Sequence, residues 1–216
     1  MLVLAHAGIA LGAVLLVEKL SSGPPANPGR AGCVEAAAPL SGRLKGRAGP
    51  FVRSLDLRFL LLGAVLPDMI DKPIGQYFFR ETFSNGRIFS HSLLFFVVML
   101  LAGLIILRVY HKTWILALAL GLLTHLFLDG MWAAPETLLW PLFGSFPRED
   151  LTEWTARILH DLFVNPAVYF FEYVGALVVG WAGVRLFEEK RLGAFLRNGL
   201  FFPESVAHSN ENRVKL

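Results

Sequence analysis

The sequence predicts an all-α fold: a polytopic membrane helical bundle of about five transmembrane or partly spanning helices, plus one interfacial amphipathic helix. Three observations predict it. The 216-residue chain is 55% hydrophobic and only 17% charged, whereas soluble domains carry about 25% charged residues, and its mean hydropathy is +0.54. Five apolar segments stand out, and four of them approach the roughly 20 residues that cross a bilayer. The stretches between them are rich in Gly, Pro and charge, as connections are.

The first segment runs from Leu2 to Leu20. It lacks the basic leading region of a secretory signal and reads as a retained helix. Residues 21–54, rich in Gly, Pro and Arg, read as a flexible cytoplasmic loop. The second segment, Leu57–Ile70, is short, so it spans in part or thins the membrane around it. The third is Ser92–Tyr110 and the fourth Trp114–Trp132. Residues 151–165 put Leu151, Trp154, Ile158 and Leu162 on one helical face and Glu153, Arg157, His160 and Asp161 on the other, the pattern of an interfacial helix. Trp140, just before it, fits an aromatic belt. The fifth segment is Ala167–Phe187. Residues 1–200 thus form a single integral-membrane domain, and 201–216 a polar C-terminal tail.

Basic residues orient the bundle. Arg30, Arg43, Lys45, Arg47 and Arg53, then Arg108 and Lys112, then Arg185, Lys190, Arg191 and Arg197 fall on one side of a five-span arrangement. The positive-inside rule makes that side cytoplasmic. A net charge of +3, scattered along the chain, excludes a nucleic-acid partner. Cys33 is the single cysteine, so no internal disulfide or thiolate zinc cluster forms.

Against this apolar background the polar residues stand out. "LGLLTHLFLDGMW" carries His125 and Asp129 four residues apart. A carboxylate at mid-helix in lipid costs about 2.5–3.5 kcal/mol on insertion scales, so something offsets it. His6 lies at the outer end of the first segment, Asp68 and Asp71 close the second, and His91 opens the third from the same side. Six His and Asp residues from four helices therefore gather in one leaflet. Imidazole with carboxylate suits zinc first, then manganese or iron, as one or two ions. A divalent cation would neutralise the carboxylates and lower the pKa of bound water. Arg87 lies close by topology and suits a substrate phosphate. His160 and Asp161 read as a solvated face, with a further ligand or proton shuttle as the alternative.

At these residues the chain resembles the membrane-bound metal-dependent hydrolase family, the YdjM-like inner-membrane proteins of prokaryotes. The matching stretches are "AHAGIALG", "LLGAVLPDMIDKP", "NGRIFSHSLLF" and "LLTHLFLDGMWAAPETLLWPL", in family order over residues 5–143. The resemblance implies His6, Asp68, His91, His125 and Asp129 as metal-site residues, with Asp71 added. Many members begin an H-R-G-x-T-H-S run with a histidine, where this chain has Gly86 before Arg87. Many also read P-D-x-D, where this chain has Asp68-Met69-Ile70-Asp71. More remotely, the H-x3-D pair is similar to the zinc-dependent phospholipase C and nuclease sites.

The expected function is an integral membrane metal-dependent hydrolase of the prokaryotic inner membrane, its site toward the outer side. Its substrate is expected to be a phosphoester of a lipid or polyprenyl compound, or another small molecule, attacked by a metal-bound hydroxide with Asp71 or Asp129 as general base. Two alternatives stand: an ion or metal transporter, and a non-catalytic membrane scaffold. A transporter needs polar residues at several depths; here they occupy one leaflet.

Overall fold

The structure, a computed structural model, describes residues 3–21, 53–150, 152–199 and 201. Regular structure among the described residues is all helical, in agreement with the predicted class. The main helices are α1 (Val3–Ser21), α2 (Leu57–Lys72), α3 (Leu93–Tyr110), α4 (Trp114–Leu128), α5 (Trp154–Val164), α6 (Pro166–Glu188) and α7 (Leu192–Asn198). The expected loop at 21–54 and the tail lie almost entirely outside the described residues. Phe201, at the start of that tail, is buried in the core.

Local chemistry sets the helix ends. Asp56 caps α2 by accepting from the Arg58 N–H at 3.1 Å, and Ser92 caps α3 by accepting from Phe95 at 3.2 Å. Asn165 caps α6 just ahead of Pro166, where the missing proline N–H costs no helical bond. The fourth segment stops at Leu128 rather than at the expected Trp132. Gly130 takes φ 64°, the left-handed conformation that terminates helices, so Asp129 sits at the cap and not inside the helix. The short second segment gains length in another way, continuing into a π-helical stretch over Pro73–Phe78. Such stretches recur at functional sites.

Helices α1, α3 and α6 are long and apolar enough to cross a membrane. Helix α4 is equally apolar but has only 15 residues. Only Gly103 of α3 is buried, leaving an apolar surface of Val97, Val98, Leu101, Leu104 and Ile105. A helix apolar all round and bare in the isolated chain is one solvated by lipid.

Two glycine contacts bring the other helices close. A Cβ on Gly63 of α2 would lie 2.1 Å from the Leu118 carbonyl oxygen, and one on Gly121 of α4 would lie 2.1 Å from that of Leu60. A Cβ on Gly8 of α1 would likewise stand 2.3 Å from the Gly175 backbone of α6. Small residues let membrane helices approach where lipid removes the hydrophobic driving force. The main core, including Leu11, Val14, Leu57, Leu60, Ala64, Ala117 and Leu186, packs around these crossings.

Candidate metal centre

The polar cluster sits where α1 and α3 begin and α2 and α4 end. His6, His91 and His125 are each at most 1% exposed, and Asp68 and Asp71 are buried with them. One ligating atom each from Asp68, His91, His125 and Asp129 lies within 4.8 Å of all the others. The Nε2 atoms of His91 and His125 are 3.2 Å apart. Asp68 Oδ1 is 3.7 Å from the first and 3.9 Å from the second, and Asp129 Oδ2 is 3.9 Å from His91 Nε2.

The outward nitrogens fix the tautomers. His125 Nδ1 is 2.8 Å from the Ala64 carbonyl oxygen, which can only accept, so Nδ1 carries the proton. His91 Nδ1 donates to Asp71 Oδ2, also at 2.8 Å. In the neutral rings both Nε2 atoms then present lone pairs, and these converge. Two facing lone pairs make no hydrogen bond; a cation between them is bound by both. A tetrahedral ion with bonds of about 2.0–2.1 Å separates its ligands by about 3.3–3.4 Å, and the 3.2–3.9 Å separations bracket that figure. The donor set fits a divalent metal. Backing of each imidazole by a carboxylate or a backbone carbonyl is also what metal-bound histidines show.

Asp71 plays a different part from Asp68. It lies outside the four-residue group and is fully buried. Its oxygens accept from the backbone N–H groups of Ile88, Ser90 and His91 at 2.8–3.2 Å, as well as from the His91 ring. The i, i+3 spacing that aligned Asp68 with Asp71 puts one carboxylate toward the cluster and the other beneath the loop that carries His91. Ser90 Oγ completes the seat by donating to the Pro67 carbonyl at 3.0 Å.

His6 stacks on His125, ring centroids 4.2 Å apart, and its Nε2 lies 3.1 Å from Asp129 Oδ1. Arg87 Nε donates to Asp129 Oδ2 at 3.0 Å, with its side chain 41% exposed. Residues 84–90 are held in turn by a neighbouring loop. Asn85 Nδ2 donates to the Pro147 carbonyl at 2.7 Å, and Ser84 Oγ to that of Glu149 at 2.8 Å. Phe83, Phe89, Trp140 and Phe146 pack edge-on and stacked around that junction. His160 and Asp161 stay apart on α5, exposed and 3.7 Å from one another.

Four contributors escape sequence reasoning. Lys72 donates to Asp68 Oδ2 at 2.6 Å; its i, i+4 spacing from Asp68 was the available signal. The Ala64 carbonyl has no side-chain signature at all. Gly63 and Gly121 bring that carbonyl to His125, one helical turn beyond Gly121. Only a pairing of the two helices reveals them.

The family model described as YdjM inner membrane protein matches residues 1–192. The chain belongs to that family. Membership and the apolar helices together make this YdjM-family chain a membrane protein. Searches of curated proteins and of solved structures return no match. Family and membrane location follow from the match; a reaction does not.

Proposed function

We propose that this protein is an integral membrane metal-dependent hydrolase, acting on a phosphoester of a lipid or polyprenyl substrate. One observation carries the reading: two histidines with committed Nδ1 protons turn their Nε2 lone pairs onto one point beside two carboxylates. Asp68, His91, His125 and Asp129 would hold a divalent ion, zinc in first place and manganese or iron next. His6 would serve as a further ligand or as the group that steadies Asp129. A bound ion would supply Lewis-acid activation of water and of a phosphoryl oxygen.

The chain's own residues take the remaining roles. Asp71, saturated by donors, positions His91 and is not the base. Asp129 is the better base candidate, because it sits at a helix cap beside the partly exposed Arg87. Arg87, anchored through Nε, directs its other N–H groups to an anionic substrate oxygen. A buried site at the helix ends suits a substrate that arrives within the bilayer. The positive-inside distribution supports an orientation with this end toward the outer face of a multi-pass inner-membrane protein.

A scaffold reading has one observation in its favour. Lys72 and Arg87 already pair with Asp68 and Asp129, so the cluster can be seen as ion pairs tying helices together. Purified protein, stripped with EDTA, reloaded with zinc or manganese and analysed for metal, separates the two. The hydrolase reading expects retained metal, with phospholipid or polyprenyl phosphate turnover that EDTA and His125→Ala both abolish. No retained metal, or turnover indifferent to both treatments, overturns it.

A further inference from the structure

Beside the histidine cluster, a groove of about 480 Å³ opens between the first turn of α1, the amphipathic α5 and the start of α6. That volume is within the range of small-molecule pockets. Leu4, Leu162 and Phe163 give it hydrocarbon walls, and Tyr169 and Tyr173 add two aromatic rings with centroids 6.3 Å apart. Glu172 also lines it, only 8% exposed, and its Oε1 has no hydrogen-bond partner. Among the described residues no ion pair or hydrogen bond engages this carboxyl group.

We infer that this groove binds an amphiphile with a primary ammonium head, the ammonium on Glu172 and the hydrocarbon along the apolar wall. A carboxylate accepts only, and burial without a donor or counter-charge is costly. Among the described residues no basic side chain lines the groove, which leaves the complementary charge to the occupant. Tyrosine faces attract the same cation. A metal ion is a poor match, since among the described residues Glu172 alone lines the groove with a carboxylate, imidazole or thiolate group. An anionic head is repelled, and a quaternary one has no N–H to give Oε1. The apolar lining and the membrane location favour an occupant with a chain over a free amine. Leu4 lines the groove two residues before His6, so the site borders the histidine cluster without sharing a residue with it.

The test uses the full chain, purified and delipidated in maltoside detergent, then exposed to equimolar phosphatidylethanolamine and phosphatidylglycerol and read by native mass spectrometry. Wild type should retain phosphatidylethanolamine over phosphatidylglycerol by about five-fold or more, the scale of one partly desolvated cation contact. Glu172→Gln should bring the ratio close to one. Ala176→Phe, which keeps the carboxylate and fills the groove, should remove bound phosphatidylethanolamine as well, so a fold defect in one variant does not decide the outcome. Displacement by dodecylamine would assign the site to any chain-bearing ammonium, and persistence of phosphatidylethanolamine would assign it to an aminophospholipid. Equal retention of the two lipids by wild type, or an unchanged preference in Glu172→Gln, overturns the inference. The preference should survive EDTA, so it stands or falls apart from the metal reading.

Discussion

Two His–Asp pairs in this chain look alike on paper and differ in every physical respect. His160 and Asp161 are adjacent in sequence, side chains 66% and 49% exposed, 3.7 Å apart on the polar face of an amphipathic helix. His91 and Asp71 are twenty residues apart, wholly buried, and joined by a 2.8 Å hydrogen bond with three backbone N–H groups on the same carboxylate. The exposed pair competes with water, and its interaction is correspondingly weak. The buried pair has no water to fall back on, so the carboxylate orders the loop and sets the imidazole tautomer together. Proximity in sequence says little about a His–Asp pair; what surrounds it decides its chemistry.

The largest expected effect comes from the groups that share the metal cluster with His91. His125→Ala or Asp129→Ala should lower zinc affinity by more than about 100-fold, above the range for residues behind the ligands, as read by competition with a chromogenic chelator. Asp71→Asn should follow at about 10–100-fold, with a loss of stability of about 1–3 kcal/mol because one oxygen becomes an amide facing N–H donors. Equal metal affinity in Asp71→Asn would break the contrast between the pairs.

Gly121→Val tests how the second imidazole is aimed. Its new side chain meets the Leu60 carbonyl and must push α4 from α2, drawing His125 off Ala64. Overpacking of this kind costs about 1–3 kcal/mol, so a lower melting temperature and weaker metal binding should appear together.

Lys72→Met separates the metal and scaffold readings by sign. A cluster that binds metal should bind it a few-fold more tightly once the competing ammonium leaves Asp68. A cluster held by ion pairs should instead lose stability, by up to about 1 kcal/mol for this partly exposed lysine. The smallest effect belongs to His160→Ala and Asp161→Asn, each within about 0.5 kcal/mol of wild type and without effect on metal content. A metal change there would give the exposed pair the shuttle or ligand role set aside for it.

Much of the bundle was legible in the sequence, because lipid solvation imposes a simple rule: long apolar runs become helices that satisfy their own backbone groups. Helices α1, α3 and α6 followed directly from their length and composition. The gathering of His6, Asp68, His91, His125 and Asp129 at one end followed from alternating helix direction alone. The end of α4 was less legible, since the apolar pattern runs on to Trp132 while the left-handed Gly130 stops the helix. The split of Asp68 and Asp71 was not legible, because both share a helical face and only the docked 88–91 loop separates their tasks. Glu172 lay in plain view within the fifth segment, yet its isolation is a property of the α1–α5–α6 groove.

The sequence by itself determined a helical membrane protein with its ionisable residues collected at one end, since hydropathy and helix direction are local and additive. Tertiary structure alone decided which nitrogen of His91 and of His125 carries the proton. That choice rests on Asp71 and on the Ala64 carbonyl, partners delivered by a docked loop and by two helices touching at Gly63 and Gly121. A proton's position on an imidazole depends on distances of a few tenths of an ångström between groups far apart in the chain, and only packing sets those.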